Sequence, residues 1–332
     1  MRIVTLEDHL TIPELSGQID VETRVRRGWP RPGSPRAALM PHARLSDTGT
    51  ARLADMDASG ITVQVLSLAG PGAELLDPQA GPALAKQFND RLAAIVAEHP
   101  NRYAAFTHLP MSAPEAAADE LERTVRHSQF KGALVNGITD GRFLDHASFE
   151  PLLARAVALD VPVYIHPSLP PEEVRKAYYD DLPQETGDML SRAGWGWHSE
   201  VAIHVLRMVL AGTFDRHPKL KIIIGHMGEG LPAMMDRCDA IFTRQTQTYL
   251  SRSVSQTILD QVWITTSGFF TLTPFTALTM KFPIDRILFS VDYPFAANAV
   301  GRAFLDGLPV SETDRQKIAH QNADALLRLD VA

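Results

Sequence analysis

A (β/α)8 barrel of the TIM type, with loop insertions at its C-terminal face, is the fold this 332-residue sequence predicts. Three observations carry that expectation. Eight short runs rich in β-branched and aliphatic residues recur along the chain. Helix-like stretches lie between them, and the runs repeatedly end on polar residues able to do chemistry, as the strands of such a barrel do.

Taken in order, the strand-forming runs are Arg2–Leu6 (RIVTL), Val63–Leu68 (VQVLSL), Tyr103–His108 (YAAFTH) and Gly132–Val135 (GALV). Then follow Pro162–His166 (PVYIH), Lys221–His226 (KIIIGH), Val262–Thr266 (VWITT) and Arg286–Val291 (RILFSV). Most are apolar on both faces, as parallel strands are when helices cover them outside and side chains fill the interior. Pro82–Glu98 has apolar residues at helical spacing, and Ser112–Arg126 opens on a Ser cap, a proline and early acids. Phe149–Leu159, Glu200–Leu210 and Asp314–Leu329 also read as helices. A doubly wound open sheet is the competing architecture. One that bound a dinucleotide would typically carry a glycine-rich turn after its first strand, and LEDHLTIPEL has none. Gly17–Ala51 and Ser168–Trp197 break the rhythm, and insertions after barrel strands are expected to form lids or pocket walls. With no repeat or linker in view, residues 1–332 read as one domain.

The chain is 45% hydrophobic and 21% charged, enough apolar material for a large core. Its net charge is -7, and its densest basic stretch, Arg24 to Arg36, is Pro/Gly-rich without helical period and reads as a solvated loop. Nucleic acid is therefore not an expected partner. No apolar run reaches the ~18 residues of a membrane span, and MRIVTLEDHL resembles neither a signal nor a transit peptide, so a cytoplasmic location is expected. Cys238 is the one cysteine, which rules out an intrachain disulfide and a multi-cysteine metal site.

In a parallel barrel, chemistry belongs at the C-terminal strand ends. Glu7 and His9 end the first run, Ser67 the second, His108 the third and Asn136 the fourth. His166 ends the fifth, His226 the sixth, Thr266 with Ser267 the seventh, and Asp292 the eighth. Glu7 and His9 are two apart, so on a strand both side chains point the same way. Burying a carboxylate and an imidazole together is costly unless something neutralises them. One divalent ion held by Glu7, His9, His166 and Asp292 would do so, and this N2O2 set suits zinc or manganese, with iron also open. His108 is expected to lie behind this set at most. In Gly225–Pro232 (GHMGEGLP), the glycines permit a sharp turn after His226, and Glu229 can orient its imidazole as an acid/base pair. Arg237 on the following helix could bind a substrate carboxylate bidentately or serve as a surface ion-pair partner.

LEDH, VYIHP, IIIGHMGEGLP and LFSVDYPF, in this order, resemble the amidohydrolase-related metal-dependent decarboxylases, above all γ-resorcylate and 2,3-dihydroxybenzoate decarboxylases. MDASGITVQVLSL, FKGALVNG, WGWHSEVAIHVLRMVLAGTFDRHPKLK and NADALLRL extend the resemblance over most of the chain. It implies the same four ligands, with His226 as catalytic histidine and Glu229 as its partner. The Glu-x-His of the first strand looks like the benzoate decarboxylase subgroup, where hydrolytic members usually carry His-x-His. The Arg/Pro-rich Gly17–Ala51 segment departs from the family. So does Trp197-His198, where relatives tend to have an aromatic and then a small residue.

The implied reaction is reversible, non-oxidative decarboxylation of a hydroxybenzoate, with no organic cofactor. Asp292 is the expected proton donor to the ring carbon and His226 the alternative. Ser67, Trp197, Arg237 and Phe295 are the expected substrate contacts, with Trp195, Phe269 and Phe270 as further candidate pocket walls. A metal-dependent lactone or amide hydrolase on the same barrel is the rival reading. The resemblance also implies a homodimer or homotetramer, for which the apolar faces at Val201–Leu210 and Ala233–Phe242 are candidates.

Overall fold

The computed structural model describes residues 1–329. Parallel strands run in chain order as β1 (Val4–Leu10), β2 (Val63–Leu68), β3 (Tyr103–Ala105), β4 (Thr107–His108) and β5 (Ala133–Asn136). They continue as β6 (Val163–His166), β7 (Ile222–Ile224), β8 (Val262–Thr265) and β9 (Ile287–Leu288). β3 and β4 are two halves of one barrel strand. Phe106 between them donates its N–H back to Leu66 O at 2.9 Å, while Thr107 N–H turns forward to Gly132 O at 2.8 Å. The two sheets thus join into the eight-stranded barrel read from the sequence. The last strand returns to the first through a parallel bridge between Asp8 and Tyr293, with His9 N–H donating to Tyr293 O at 2.7 Å.

Strand alternation sorts the side chains into two apolar clusters. Val4, Leu6, Val65, Phe106, Leu134, Tyr164, Ile223 and Leu288 fill the barrel interior, together with Leu326 and Leu327 of the helix Asn322–Leu327. Leu10, Leu66, Val135, Val163, Ile165, Ile222, Ile224 and Ile264 face outward and meet helices such as Gly81–Glu98, which contributes Leu84, Phe88 and Leu92. β1 breaks its own alternation. A register shift between Thr5 and Asp8 acts as a bulge, so Val4 and Leu6 point inward and then Glu7 and His9 do too. Ser290 Oγ takes up the freed amides, accepting from Glu7 N at 2.7 Å and Leu6 N at 3.2 Å.

Several expected elements differ in detail. The helix expected from Ser112 starts at Pro114 behind Ala113, and Ser112 is buried with an unpartnered hydroxyl rather than capping. The C-terminal helix is three pieces, Glu312–Gln316, a π-turn at Lys317–Gln321, and Asn322–Leu327. The basic stretch read as a loop begins in the helix Val21–Arg26 and ends in the helix Pro35–Leu39. Asp20 caps the first by accepting from Thr23 N at 2.8 Å, and Ser34 caps the second from Ala37 N at 3.3 Å. These local caps supply what hydrophobic period does not. The two insertions pack on each other. Arg36 pairs with Asp188 at 2.9 Å, and Arg192 donates to Gly28 O at 2.8 Å.

Candidate active site

The C-terminal mouth of the barrel holds a cluster of inward-facing polar groups. Glu7 Oε1 lies 3.4 Å from His166 Nε2 and 3.9 Å from His9 Nε2. Asp292 Oδ1 lies 3.3 Å from His9 Nε2. His226 approaches from the β7 end, its Nε2 3.9 Å from Glu7 Oε1 and 4.0 Å from Asp292 Oδ2.

Each side chain is aimed by its surroundings. Tyr164, two residues before His166 on the inward face of β6, donates its hydroxyl to Glu7 Oε2 and sits 2.9 Å from Thr265 Oγ1. Ser67 Oγ lies 3.0 Å from His9 Nδ1. With Nδ1–H given to Ser67, the lone pair of His9 sits on Nε2 and faces the cluster. Gly225 admits Glu7 by having no side chain, since a Cβ there would stand 2.8 Å from Glu7 Oε2 and 3.2 Å from the Tyr164 hydroxyl. His226, Met227, Glu229 and Asp292 all have positive φ, between 50° and 70°. Non-glycine residues rarely adopt this region, and four of the ten that do so among the described residues lie around this site.

The cluster is built for a cation. Glu7 Oε1 and His9 Nε2 are buried without hydrogen-bond partners, a costly arrangement that a metal ion relieves. Burial pushes the His9 imidazole down to about 4, and burial followed by His9 does the same to His166. Both rings are therefore neutral at pH 7, as metal ligation requires. Burial by itself would raise the Glu7 carboxyl, but His226, His166 and His9 outweigh it and bring it down to about 2. Burial and the Glu7 charge push Asp292 up to about 7, and a bound dication opposes that push.

His226 belongs to a second group. Its Nδ1 is 2.8 Å from Glu229 Oε1, and the other oxygen of Glu229 is 2.5 Å from His198 Nδ1. Burial opposes a charged His226 ring, yet Glu229, Glu7 and Asp292 together push it up to about 10.

The structure brings Glu7, His9, His166, Asp292, His226 and Glu229 together as expected. Ser67, expected to touch substrate, is fully buried with its Oγ against His9. Phe295 is 48% exposed at the rim with its ring 5.8 Å from His9. Trp197 is half-buried, with an indole N–H that is buried and unpartnered. Trp195 is exposed, while Phe269 packs 5.7 Å from the His226 ring. Arg237 is exposed, on a helix that buries Leu231, Met235 and Cys238, and no contact joins it to the cluster. His108 lies behind the site, where its Nε2 accepts from Ala73 N at 2.9 Å and faces Glu74 Oε2 at 3.1 Å. Sequence reasoning missed Tyr164 and assigned no contact to His198. Strand parity with His166 was the available signal for Tyr164, whereas nothing local pairs His198 with Glu229.

Residues 29–329 match the amidohydrolase family. The chain belongs to it. A γ-resorcylate decarboxylase of Rhizobium is 36% identical over 99% of this chain and 99% of its own. A 2,6-dihydroxybenzoate decarboxylase solved with 2,6-dihydroxybenzoate superimposes with a TM-score of 0.87 at 35% identity, covering 99% of this chain and 100% of that one. A dihydroxybenzoic acid decarboxylase of Polaromonas, solved with manganese and 2-nitroresorcinol, gives 0.85 at 33% identity over 99% and 98% of the two chains. Within the amidohydrolases, the chain thus stands among metal-dependent decarboxylases on the TIM barrel.

Proposed function

We propose that this amidohydrolase is a carboxy-lyase that removes CO2 from a hydroxybenzoate without oxidation. The observation that carries the reading is the pair of unpartnered buried donors, Glu7 Oε1 and His9 Nε2, beside His166 and Asp292, in a chain whose relatives decarboxylate dihydroxybenzoates. Those relatives also favour decarboxylation over hydrolysis. Glu7, His9, His166 and Asp292 are the assigned ligands of one divalent ion, manganese or zinc, and the manganese of the Polaromonas protein supports the first. When bound, that ion supplies a Lewis acid at which a carboxylate and its ortho phenol oxygen can be held.

The chain's own groups do the rest. Asp292 is the assigned donor of a proton to the ring carbon bearing the carboxylate. The carbon–carbon bond then breaks, its electrons restore aromaticity, and CO2 leaves. His226, held through Nδ1 by Glu229, presents Nε2 to the phenol oxygen and polarises it. Because the protonated ring is itself the electron sink, no organic cofactor is assigned. Phe295 and Phe269, against His9 and His226, form the aromatic rim, and Trp197, whose buried indole N–H lacks a partner, is the assigned further substrate contact. Arg237, exposed and without a contact to the cluster, keeps its alternative assignment as a surface ion-pair partner, since the substrate carboxylate is placed at the metal.

Among the described residues, no helix is long and apolar enough to cross a membrane. The lone buried Cys238 suits the cytoplasmic location we assign. Exposed Ile203, Met234 and Ile241, at 44%, 52% and 46%, support assembly into a homodimer or homotetramer, which light scattering would resolve.

The test is CO2 release by metal-loaded protein from 2,6-dihydroxybenzoate, 2,3-dihydroxybenzoate, salicylate and 5-carboxyvanillate. Chelator-treated protein and His226→Ala are the controls. Metal-dependent release that His226→Ala abolishes is expected. No release from any of the four, with metal verifiably bound, overturns the reading and points to hydrolysis.

A further inference from the structure

We infer that His198 is a positioning residue for His226, acting through Glu229. The buried Glu229 carboxylate is divided between two imidazoles, with Oε1 2.8 Å from His226 Nδ1 and Oε2 2.5 Å from His198 Nδ1. A single histidine would satisfy one oxygen only, leaving the other buried and the carboxylate free to turn about its terminal torsion. With both oxygens engaged, the carboxylate plane is set, and with it the ring of His226 and the direction of its Nε2.

His198 is itself held at three points. Its Nε2 lies 3.1 Å from Ala193 O and its Nδ1 2.5 Å from Glu229 Oε2, both of which can only accept, so each ring nitrogen donates. Its ring makes edge contacts with His226 at 4.9 Å and Phe269 at 5.1 Å, and Phe269 in turn touches His226 at 5.7 Å. His198 sits in the first turn of the helix Gly196–Leu210, directly after the second insertion. The Ala193 carbonyl that holds it belongs to that insertion. The second insertion is therefore tied by a continuous hydrogen-bond path to the histidine proposed to face the phenol oxygen. A small residue at 198 would break this path.

Only the activity arm of the test rests on the decarboxylase reading. Metal-loaded wild type, His198→Ala and His198→Gln are compared, because Gln keeps an N–H that can reach Glu229 Oε2. His198→Ala is expected to lower kcat about tenfold or more with KM within about twofold, and Gln to recover kcat to within about threefold of wild type. In ¹⁵N-histidine spectra, the His226 ring signals move in the Ala variant and return in the Gln variant. Wild-type kcat and an unchanged His226 spectrum in His198→Ala overturn the proposal. A Gln variant as impaired as Ala also overturns it, since bulk and not the hydrogen bond would then matter. So does a second metal equivalent that His198→Ala removes, because the cluster would then be a cation site. If wild type releases CO2 from no hydroxybenzoate, the decarboxylase reading fails alone, and the His226 spectra still decide the role of His198.

Discussion

Arg52 donates from Nη1 to the backbone carbonyl of His9 at 2.8 Å, so a fully buried guanidinium holds the strand that carries two of the assigned metal ligands. Its Nε donates to Gln64 Oε1 at 2.7 Å, Gln64 donates to Asp8 Oδ1 at 2.9 Å, and the guanidinium lies 4.7 Å over the Tyr293 ring. Asp8 faces this network because the β1 bulge turns it outward while Glu7 and His9 turn in. Arg52→Met removes the cation from beside a buried carboxylate. The loss expected is ~3–5 kcal/mol, the usual cost of stripping one partner from a buried ionic network. Urea unfolding of metal-loaded protein measures it, and a loss below ~1 kcal/mol would show the network to be dispensable.

Ser67 is fully buried behind the His9 ring, and its removal is expected to act through that ring. Ser67→Ala frees the His9 ring to turn, with an expected loss of ~10–100-fold in metal affinity. Activity should return at saturating metal. A KM defect that excess metal leaves in place would instead mean that Ser67 reaches the substrate.

Gly225→Ala places a methyl group 2.8 Å from Glu7 Oε2. Glu7 must then leave the Tyr164 hydroxyl, and catalysis is expected to fall ~100-fold, as it does for a misplacement of about an ångström. The melting temperature should change little, because the strand core is untouched. A variant of near-normal activity would show that the pocket has slack where none is visible.

His204 provides a pH dependence away from the metal cluster. The ring is buried, and its Nε2 accepts from Leu144 N at 2.9 Å. Burial, only partly offset by Asp145, pushes it down to about 3. In the unfolded chain the imidazole takes up a proton near pH ~6.5. Between pH 6.5 and about 3 the unfolded state therefore binds the extra proton, and stability falls as pH drops through that window. His204→Gln retains an acceptor for Leu144 and cannot titrate, so its stability should decline less steeply. Parallel curves for the two metal-loaded proteins would assign the acid sensitivity elsewhere.

The strand-end polar residues were legible because a parallel barrel collects them on one face, and period-2 alternation says which side chains share an interior. Glu7, His9, His166 and Asp292 could be gathered that way. Alternation carried unbroken from Leu6 would have sent Asp8 inward, and the bulge that reverses this is fixed by Ser290, almost the whole chain away. Arg52 and Gln64 carry no signal in the sequence, since their partners appear only once β1, β2 and the helix Thr50–Ser59 between them are packed. The short helices of the first insertion were unreadable from periodicity, because each is barely one or two turns long and depends on a single cap. His198 was noted as bulkier than its counterparts in relatives, but its bond to Glu229 spans 31 residues and crosses between two elements.

The seam where Asp8 meets Tyr293 and His9 N–H meets Tyr293 O has a consequence for refolding. The assigned ligands Glu7 and His9 come from β1 and Asp292 from the segment after β9, so the set is complete only once this seam has closed. Contacts of such sequence separation form only after the loop-closure entropy of the intervening polypeptide has been overcome. Tight affinity for the ion should therefore appear with closure of the barrel in refolding, and not in an early intermediate that holds β1 alone.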